Sequence, residues 1–301
     1  MELRLLRTFR AVAATGSFTR AAADLGYVQS NVTAQIKALE REVGAPLFER
    51  LGRRIVITDA GRRLVEYADR ILRLADDAHA ELRAMSAGDG ELVGTLRIGA
   101  AETLCAYRLP HVLRALADRH PRLRVVFRPA SRTELLADLS AARLDAALLL
   151  EEPIAGTGLA VESLAVEPLL LVAAPDHQLA GATAVAPADL ADQPLIQVEE
   201  GCAHREVFDR QLRAGGVAPP VLAEFVSLEA VKQCAVAGLG VAMLPAVAVA
   251  GELRRGDLVV LPWQPGAGAP VLHTQAVRLA RRSPTSALTA LLDLARTQWA
   301  G

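Results

Sequence analysis

The 301-residue sequence predicts an α+β multidomain fold: an N-terminal winged helix-turn-helix, a long linker helix and a C-terminal two-lobed α/β domain. Three observations support this prediction. Short helical patterns separated by glycines fill the first 58 residues, one long helical pattern follows, and strand and helix patterns alternate from residue 92 onward. The length fits two domains of about 100–200 residues each, and the 52% apolar composition excludes wholesale disorder.

The first three elements are helices separated by glycine-containing turns. Apolar residues recur at helical spacing over residues 3–14. Ser17 is the expected N-cap of a second helix over residues 18–25, which Gly26 ends. A third helix spans residues 29–43. A short helix, a tight turn and a longer helix in this order are typical of a helix-turn-helix.

The third helix has a polar face made of short hydrogen-bonding side chains. Glutamine and asparagine match the edge of adenine, and serine and threonine suit several base edges, so this face is suited to reading DNA. An ordinary solvated face is the alternative interpretation. The face consists of Gln29, Ser30, Asn31, Thr33, Gln35 and Lys37.

A β-wing is predicted next, over residues 47–58. Two strand-like segments flank a Gly-Arg-Arg turn, which places Arg53 and Arg54 at its tip, where they suit phosphate or minor-groove contact. A solvated hairpin is the alternative. Residues 1–58 contain nine basic and five acidic residues, a net charge of +4, although the whole chain carries −1. The N-terminal region is therefore basic in a chain without a global basic field.

A long amphipathic helix is expected from Asp59 to Met85, capped by Thr58. A single exposed helix of this length favours a helix–helix dimer seam along its apolar stripe. Residues 86–90, Ser-Ala-Gly-Asp-Gly, form the best domain boundary. The stripe comprises Leu64, Tyr67, Ala68, Ile71, Leu74, Ala75, Ala78 and Leu82.

From residue 92 the chain alternates between strands and helices, which predicts a parallel α/β sheet in two halves with a ligand-binding cleft between them. The expected strands are 96–99, 125–127, 146–150, 169–173, 195–198, 221–225, 241–244, 259–261 and 273–278. The expected helices are 108–119, 133–142, 205–214, 227–237 and 286–299.

Candidate ligand-binding residues lie where the predicted strands end and helices begin. Helix N-termini present free N–H groups and a partial positive charge, so an anionic ligand is the default expectation. Arg132, His204 and Arg205 support an anion, whereas Glu102 and Glu200 favour an amine or zwitterion. Helix capping and surface ion pairs are the alternative roles, and Thr133 is an expected cap. The set is Ala101, Glu102, Thr103, Leu104, Arg132, Thr133, Gly201, Cys202, His204, Arg205, Phe225 and Ser227.

Three widely spaced cysteines do not form a disulfide framework, which favours a reducing compartment. Cys202 should begin a helix beside His204 and Arg205, which would lower its thiol pKa and suit a redox sensor. A small buried residue is the alternative, and Cys105 and Cys234 are expected in the core. No metal-ligand spacing and no nucleophile–base arrangement is visible, so neither a metal, a cofactor nor an enzymatic activity is expected. Without a signal peptide or an apolar run of membrane-spanning length, the expected location is the cytoplasm.

The segment FRAVAATGSFTRAAADLGYVQSNVTAQIKALEREVGAPLFER, followed by ITDAGRRL, closely resembles the signature of LysR-type transcriptional regulators. The stretches IGAAETLCAYRLP, RLDAALLL, VAAPDHQLA and EFVSLEAVKQCAVAGLGVAMLP are similar to their effector-binding domain, which itself resembles type 2 periplasmic binding proteins. Three positions depart from the family pattern. Thr33 stands where the family favours serine, which keeps the hydroxyl. Val28 stands where a serine or threonine usually opens the third helix, and Ala101 stands where serine is common.

The resemblance implies a winged helix-turn-helix over residues 1–58, a linker and dimerisation helix with a hinge over 59–90, and an effector-binding domain over 91–301. Lobe 1 would cover about 91–162 and 267–301, and lobe 2 about 163–266. Thr19 and Arg20 would reach DNA phosphate. The chain would dimerise through helix 59–85, assemble into a tetramer and contact RNA polymerase.

The expected function is that of a DNA-binding transcriptional regulator responding to an anionic or zwitterionic small molecule. The effector would change oligomer geometry and so the transcription of neighbouring genes. Two alternatives explain parts of the sequence: a solute-binding protein of a transporter, and a DNA-binding regulator that no longer depends on an effector.

Overall fold

The computed structural model describes residues 1–51, 54–86, 91–266 and 268–299. The chain divides into two compact units. The first unit comprises Met1–Thr95 together with 122–124 and 137–144, and the second comprises most of the remaining chain.

The first unit begins with a helix-turn-helix, a two-stranded wing and a long helix, as predicted. The wing strands pair in antiparallel fashion, with Phe48 opposite Ile57. In chain order the elements are α1 (Leu3–Thr15), α2 (Phe18–Leu25), α3 (Gln29–Val43), β1 (Phe48–Leu51), β2 (Arg54–Ile57) and α4 (Asp59–Ser86).

One apolar core holds these elements together. Phe9 of α1 is fully buried, and its ring lies 5.5 Å from that of Phe48 in the wing. Val32, Ile36 and Leu39 come from the inner face of α3 and are buried as well. Because these side chains recur at helical spacing, packing rotates the polar face of α3 outward.

The caps predicted at Ser17 and Thr58 are confirmed. The Ser17 hydroxyl accepts a hydrogen bond from the Arg20 N–H at 3.3 Å. The Thr58 Oγ1 accepts from the Gly61 N–H at 3.0 Å and donates to the Pro46 carbonyl at 2.7 Å. Thr58 therefore both starts α4 and ties it to the wing.

The apolar stripe of α4 is partly buried in its own unit and partly exposed, which corrects the expectation that the whole stripe forms a dimer seam. Leu64, Ala68 and Ile71 pack against the core of the first unit. Tyr67 and Leu74 remain 58% and 65% exposed, and Leu82 is exposed too. One part of the stripe therefore fixes α4 to its own unit, and another part faces outward.

The second unit is built mainly from alternating strands and helices, although residues 94–95 of β3, 123–124 of β4 and 137–140 of α7 belong to the first unit. Its first half contains β3 (Gly94–Ala100), α5 (Glu102–Tyr107), α6 (Leu109–Arg119), β4 (Leu123–Pro129), α7 (Arg132–Ser140), β5 (Ala146–Glu151) and β6 (Leu159–Ala173). Its second half contains β7 (Leu195–Val198), α8 (Ala203–Ala214), β8 (Val221–Phe225), α9 (Leu228–Val236), β9 (Ala242–Pro245), α10 (Ala246–Arg255), β10 (Val259–Leu261), β11 (Val271–Leu279) and α11 (Ser286–Trp299).

The sheet of this unit is mixed, which corrects the parallel sheet predicted from the sequence. The strand order is β10-β6-β11-β5-β3-β4, with β9 also paired to β6. The β3–β5 and β7–β8 pairs are parallel, whereas β6 and β11 run antiparallel to each other and to their other partners. The parallel prediction failed because β11 lies between β5 and β6 and runs opposite to both, and because β9 and β10 run opposite to β6. The alternation of strand and helix patterns does not show these directions.

Three features were missing from the sequence prediction. Helices α5 and α10 were not anticipated, and β6 is 15 residues long, whereas only 169–173 was expected as strand. Helix α5 is too short to show a helical period, and the alanine–valine run that opens α10 suits a strand equally well.

Strand β6 passes from one part of the sheet to another at Pro168. Up to Pro168 it pairs with β11, and from Leu169 onward it pairs with β9 and β10. We define lobe 1 as β3, β4, β5, β11 and residues 159–162 of β6 with α5, α6, α7 and α11. Lobe 2 comprises residues 169–173 of β6 and β7, β8, β9, β10 with α8, α9 and α10. Over the residues that the structure describes, no helix has both the length and the apolar character needed to cross a membrane.

Candidate DNA interface and effector site

The outer face of α3 presents most of the residues predicted to read DNA. Gln29, Ser30, Asn31 and Lys37 are exposed. Thr33 is half-buried, and its hydroxyl donates to the Gln29 carbonyl at 3.0 Å. Four polar side chains are therefore available on one helix of a helix-turn-helix.

Gln35 does not belong to this exposed face, which corrects its expected role as a base-reading residue. Its side chain is buried between α1 and α3. Its Oε1 accepts from the Thr8 hydroxyl at 2.6 Å, and its Nε2 donates to the Asn31 Oδ1 at 2.9 Å. Gln35 thus orients Asn31, because both ends of its own amide are satisfied inside the unit.

The start of α3 lacks a capping side chain, as expected from Val28. Val28 occupies the N-cap position and makes no side-chain hydrogen bond to the helix. The Asn31 and Val32 N–H groups donate to the Val28 carbonyl at 3.0 and 3.3 Å, so the backbone closes the first turn of α3. Thr19 and Arg20, in the first turn of α2, are exposed.

The predicted wing arginines are only partly covered by the structure. Arg53 lies outside the described residues. Arg54 opens β2, where its backbone pairs with Leu51. Of the two predicted wing arginines, the structure therefore describes only the backbone of Arg54.

Two ion pairs that the sequence did not suggest tie α1 to α4. Arg7 Nη2 lies 2.9 Å from Asp76 Oδ1, and Arg10 pairs with Asp69. These residues are 69 and 59 positions apart, so no local pattern links them. They fix the direction in which the linker helix leaves the helix-turn-helix.

The predicted effector residues lie at the starts of α5, α7, α8 and α9. Ala101 and Cys202 occupy the N-cap positions of α5 and α8, and the Ser227 hydroxyl caps α9 by accepting from the Ala230 N–H at 3.4 Å. Glu102, Gly201 and the Arg132–Thr133 pair are exposed, whereas Thr103 and Phe225 are half-buried.

Two members of the predicted set have different roles. Leu104 is completely buried in the core, so it is not available to a ligand. Ser131, and not Thr133, caps α7: its hydroxyl accepts from the Glu134 N–H at 3.4 Å, and the Glu134 carboxylate accepts from the Ser131 N–H at 3.1 Å. Thr133 lies two residues after this cap, inside the helix, so it does not cap it.

Arg205 is committed to its own lobe. Its guanidinium donates to the Val198 carbonyl at 2.7 Å and to Glu224 at 2.6 Å, and it also contacts Asp209 at 3.4 Å. Because these partners neutralise it, the expectation that Arg205 attracts an anionic ligand is corrected.

His204 is also unable to supply positive charge at neutral pH. It is 8% exposed, its Nε2 is buried without a hydrogen-bond partner, and burial lowers its pKa to about 4. Desolvation disfavours the charged imidazolium, so the ring is neutral under physiological conditions. The expected cationic role of His204 is therefore corrected.

Glu151, which the sequence prediction missed, lies among the predicted effector residues. Its carboxylate is 3.8 Å from Arg132 Nη1, and burial raises its pKa. The carboxylates of Glu151 and Glu199 raise the pKa of the Cys202 thiol, although its burial is the larger cause. Arg132, Glu151 and Cys202 thus bring together lobe 1 and the start of α8.

The raised pKa of Cys202 corrects the expectation of an activated thiol. Burial and the nearby carboxylates outweigh Arg205, the one neighbour that lowers this pKa. The thiol form therefore dominates at neutral pH, which supports the interpretation as a small, partly buried residue. Cys105 and Cys234 are half-buried as well, and burial raises the pKa of Cys105.

The buried imidazole of His204 makes stability depend on pH. The folded pKa of about 4 lies below the ordinary value of 6.5. Acidification from pH 6.5 to 4 therefore protonates the unfolded chain first and should lower the free energy of unfolding by up to about 3 kcal/mol. Denaturant unfolding of the wild type and His204→Gln across this range measures the difference. The prediction would be contradicted if the free energy of unfolding changed with pH equally in the two proteins.

Comparison with known protein families matches both units. The family model for the bacterial regulatory helix-turn-helix protein of the lysR family matches residues 3–62, and the model for the LysR substrate binding domain matches residues 89–300. A winged helix-turn-helix joined to such a domain defines a DNA-binding transcriptional regulator with an effector-binding domain. The chain belongs to the LysR family of transcriptional regulators.

Individual relatives agree with this assignment. The chain is 38% identical over 297 residues to the HTH-type transcriptional regulator YwqM of Bacillus subtilis, covering 98% of this chain and 99% of that protein. It is 33% identical to a RuBisCO operon transcriptional regulator of Allochromatium vinosum, covering 87% and 85% of the two chains.

Solved structures show the same architecture. A full-length OxyR cysteine variant from Pseudomonas aeruginosa matches with a TM-score of 0.72 and 26% identity, covering 98% of this chain and 95% of that one. Full-length CbnR, solved in complex with its target DNA, matches with a TM-score of 0.70 and 25% identity, covering 99% and 100%. These relatives are regulators, so the alternative of a transporter's solute-binding protein has no support.

Proposed function

We propose that this regulator reads its operator with the exposed face of α3: Gln29, Ser30, Asn31, Thr33 and Lys37. The observation that carries the proposal is that this face is polar and outward, while the opposite face of α3 is locked into the core. Thr19, Arg20 and the wing contact the phosphate backbone. Residues 1–58 form the DNA-binding domain, 59–90 the linker and 91–301 the effector-binding domain.

Selection of binding sites from a random duplex library by the full-length protein tests this proposal. Enrichment of a partly palindromic motif is expected, with a specificity ratio of about 10³ or more over unrelated DNA at physiological salt. Fluorescence anisotropy on that motif then compares variants. Ser30→Ala should lose about 1–3 kcal/mol of discrimination, roughly 5- to 150-fold. Failure to enrich any motif would overturn the proposal.

Arg20→Ala separates phosphate contact from base reading. It should weaken binding to the motif and to unrelated DNA by the same factor and reduce the salt dependence. Arg114→Ala removes an equally exposed arginine from α6 and controls for net charge. A loss confined to the selected motif would instead assign Arg20 to base reading.

We also propose that the effector site lies at the starts of α5, α7 and α8 and prefers a zwitterionic small molecule. Of the basic side chains expected to hold an anion, His204 is neutral and Arg205 is neutralised, whereas Arg132 lies beside a partly buried Glu151. An adjacent guanidinium and carboxylate match a ligand that carries both a carboxylate and an ammonium group. Arg132 and Glu151 together therefore favour a zwitterionic ligand, one of the two expected classes, over a simple anion.

Thermal-shift screening of the full-length protein against α-amino acids, simple amines and simple carboxylates tests the effector class. An increase in Tm with amino acids that is lost in both Arg132→Gln and Glu151→Gln is expected. Glu162→Gln, which removes an exposed carboxylate paired with Arg296 within lobe 1, is the matched control. Binding of simple carboxylates that survives in Glu151→Gln would contradict the proposed class.

The exposed part of α4 supports dimerisation through residues 59–85. Tyr67 and Leu74 are large apolar side chains on one helix face, and a second copy of α4 would bury them. We extend this to a dimer that presents two recognition helices to successive major-groove faces. Such dimers would assemble into a tetramer that contacts RNA polymerase and acts in the cytoplasm without enzymatic activity. An effector then acts only through its different affinities for two arrangements of the assembly.

A further inference from the structure

A cluster around Lys232 joins the two lobes at a place separate from the proposed effector residues. Lys232 lies in α9 of lobe 2, and its side chain is 6% exposed. Its ammonium lies 2.8 Å from Glu229 Oε2 and 3.1 Å from Glu252 Oε1. The third hydrogen-bond partner comes from lobe 1: Tyr107, the last residue of α5, accepts at 3.3 Å.

Tyr107 makes four contacts with lobe 2. Its hydroxyl donates to Glu229 Oε2 at 2.8 Å and accepts from Lys232, whose ammonium also lies 5.3 Å from the ring centroid. The ring packs against the apolar core of lobe 2. A lobe 1 side chain thus completes the coordination of a buried lobe 2 cation, which otherwise would lack its third polar partner.

Helix α5 connects this cluster to the proposed effector site. The helix has only six residues, with Glu102 at its first turn and Tyr107 at its end. A short helix moves as a rigid element, so displacement of its N-terminus by a ligand also displaces Tyr107. The next residue, Arg108, ties the end of α5 to β6, because its guanidinium pairs with the buried Glu167 at 2.6 Å.

We propose that Tyr107 and Lys232 form a latch that holds the two lobes in the arrangement seen here and that opposes lobe rearrangement. Hydrogen bonds to charged groups are among the stronger ones, and the latch contains two of them. Lobe arrangements that separate α5 from α9 must break both, leaving a buried ammonium short of one partner. Releasing the latch therefore raises the population of such arrangements.

Distance measurement by electron spin resonance tests the latch directly. Spin labels are attached through a noncanonical amino acid at the exposed Ala117 of lobe 1 and Arg213 of lobe 2, and labelled chains are diluted into unlabelled protein. The wild type should give one dominant distance. In Tyr107→Phe and in Lys232→Met, the ratio of a second distance to the first should rise about fivefold or more. The double variant should rise no further than the larger single effect, because both changes remove the same contact.

Glu162→Gln serves as the control, because it breaks an exposed ion pair within lobe 1 and should leave the distance unchanged. Tyr107→Phe removes a single oxygen atom and keeps the proposal testable if Lys232→Met does not fold. Unchanged distances in Tyr107→Phe, or equal changes in the control, would overturn the latch. Its use in regulation rests on the effector-binding function proposed above. The measurement needs neither DNA nor effector, so failure of one proposal is distinguishable from failure of the other.

Discussion

Replacing Arg108 by methionine is expected to lower the free energy of unfolding of the second unit by about 3–5 kcal/mol. Arg108 Nη2 lies 2.6 Å from Glu167 Oε2, and the Glu167 side chain is 1% exposed. The other carboxylate oxygen of Glu167 accepts from the Val247 N–H at 2.8 Å, at the start of α10. Without the guanidinium, a carboxylate would stay buried with its charge uncompensated, and this desolvation cost sets the size of the effect.

Denaturant unfolding followed by tryptophan fluorescence measures this loss. The reporter lies close to the change, because Trp299 Nε1 donates to the Arg108 carbonyl at 3.3 Å. Arg114→Met is the matched control: its side chain is 85% exposed and its pair with Asp118 is 3.9 Å long, so its loss should stay below about 0.5 kcal/mol.

A double variant separates the buried charge from lost packing. Arg108→Met combined with Glu167→Met leaves no buried charge and should recover part of the stability lost by Arg108→Met alone. A single-variant loss below about 1 kcal/mol, or a double variant less stable than the single one, would contradict the explanation by an uncompensated charge.

Gly61→Ala is expected to destabilise the first unit by about 3 kcal/mol or more and to abolish DNA binding. A Cβ at Gly61 would lie 2.4 Å from the Leu47 carbonyl oxygen and 2.6 Å from Ile57 Cγ1. The carbonyl cannot move freely, because it accepts from the Thr58 N–H at 3.0 Å. The clash outweighs the gain of about 1 kcal/mol that alanine brings to a helix interior.

Gly251→Ala provides the matched control for this substitution. Gly251 also lies within a helix, α10, but the nearest atom to its added Cβ would be the flexible Arg255 guanidinium at 3.3 Å. Its replacement should be neutral or stabilising by up to about 1 kcal/mol. Thermal unfolding of both variants, with anisotropy on the selected DNA motif, compares them. If the Gly61→Ala protein were as stable as Gly251→Ala, the prediction would be contradicted, because the wing residues would then move away from the new Cβ at a small cost in free energy.

The elements of the DNA-binding unit could be predicted almost completely from the sequence. Their signals are local: glycines end the helices, Ser17 and Thr58 cap them, and the apolar residues of α3 recur at helical spacing. Patterns within one element decide that element, so no distant contact was needed. The exception is Gln35, which was expected to be exposed because it is polar. Its side chain is buried instead, because the Thr8 hydroxyl from α1 donates a hydrogen bond to its amide oxygen.

The proposed effector site was predicted from the sequence only as a set of helix starts. Its chemistry depends on contacts between distant residues, such as Arg205 with Glu224 and Arg132 with Glu151. No spacing rule links these partners, because each pair is brought together by the sheet order. Glu151 could have been suspected, since it ends an apolar strand on the same sheet edge as the predicted residues.

The sequence by itself determined the class of this protein and the local form of its DNA-binding unit, because periodicity, caps and turns act over a few residues. Only the tertiary structure decided which basic side chains carry a charge that is free to bind a ligand. Burial makes His204 neutral, and ion pairing neutralises Arg205. The same structure placed Tyr107 of one lobe beside Lys232 of the other. The charge of a side chain and its hydrogen-bond partners depend on its solvent exposure and its neighbours. The fold sets both by bringing together residues that are far apart in the sequence.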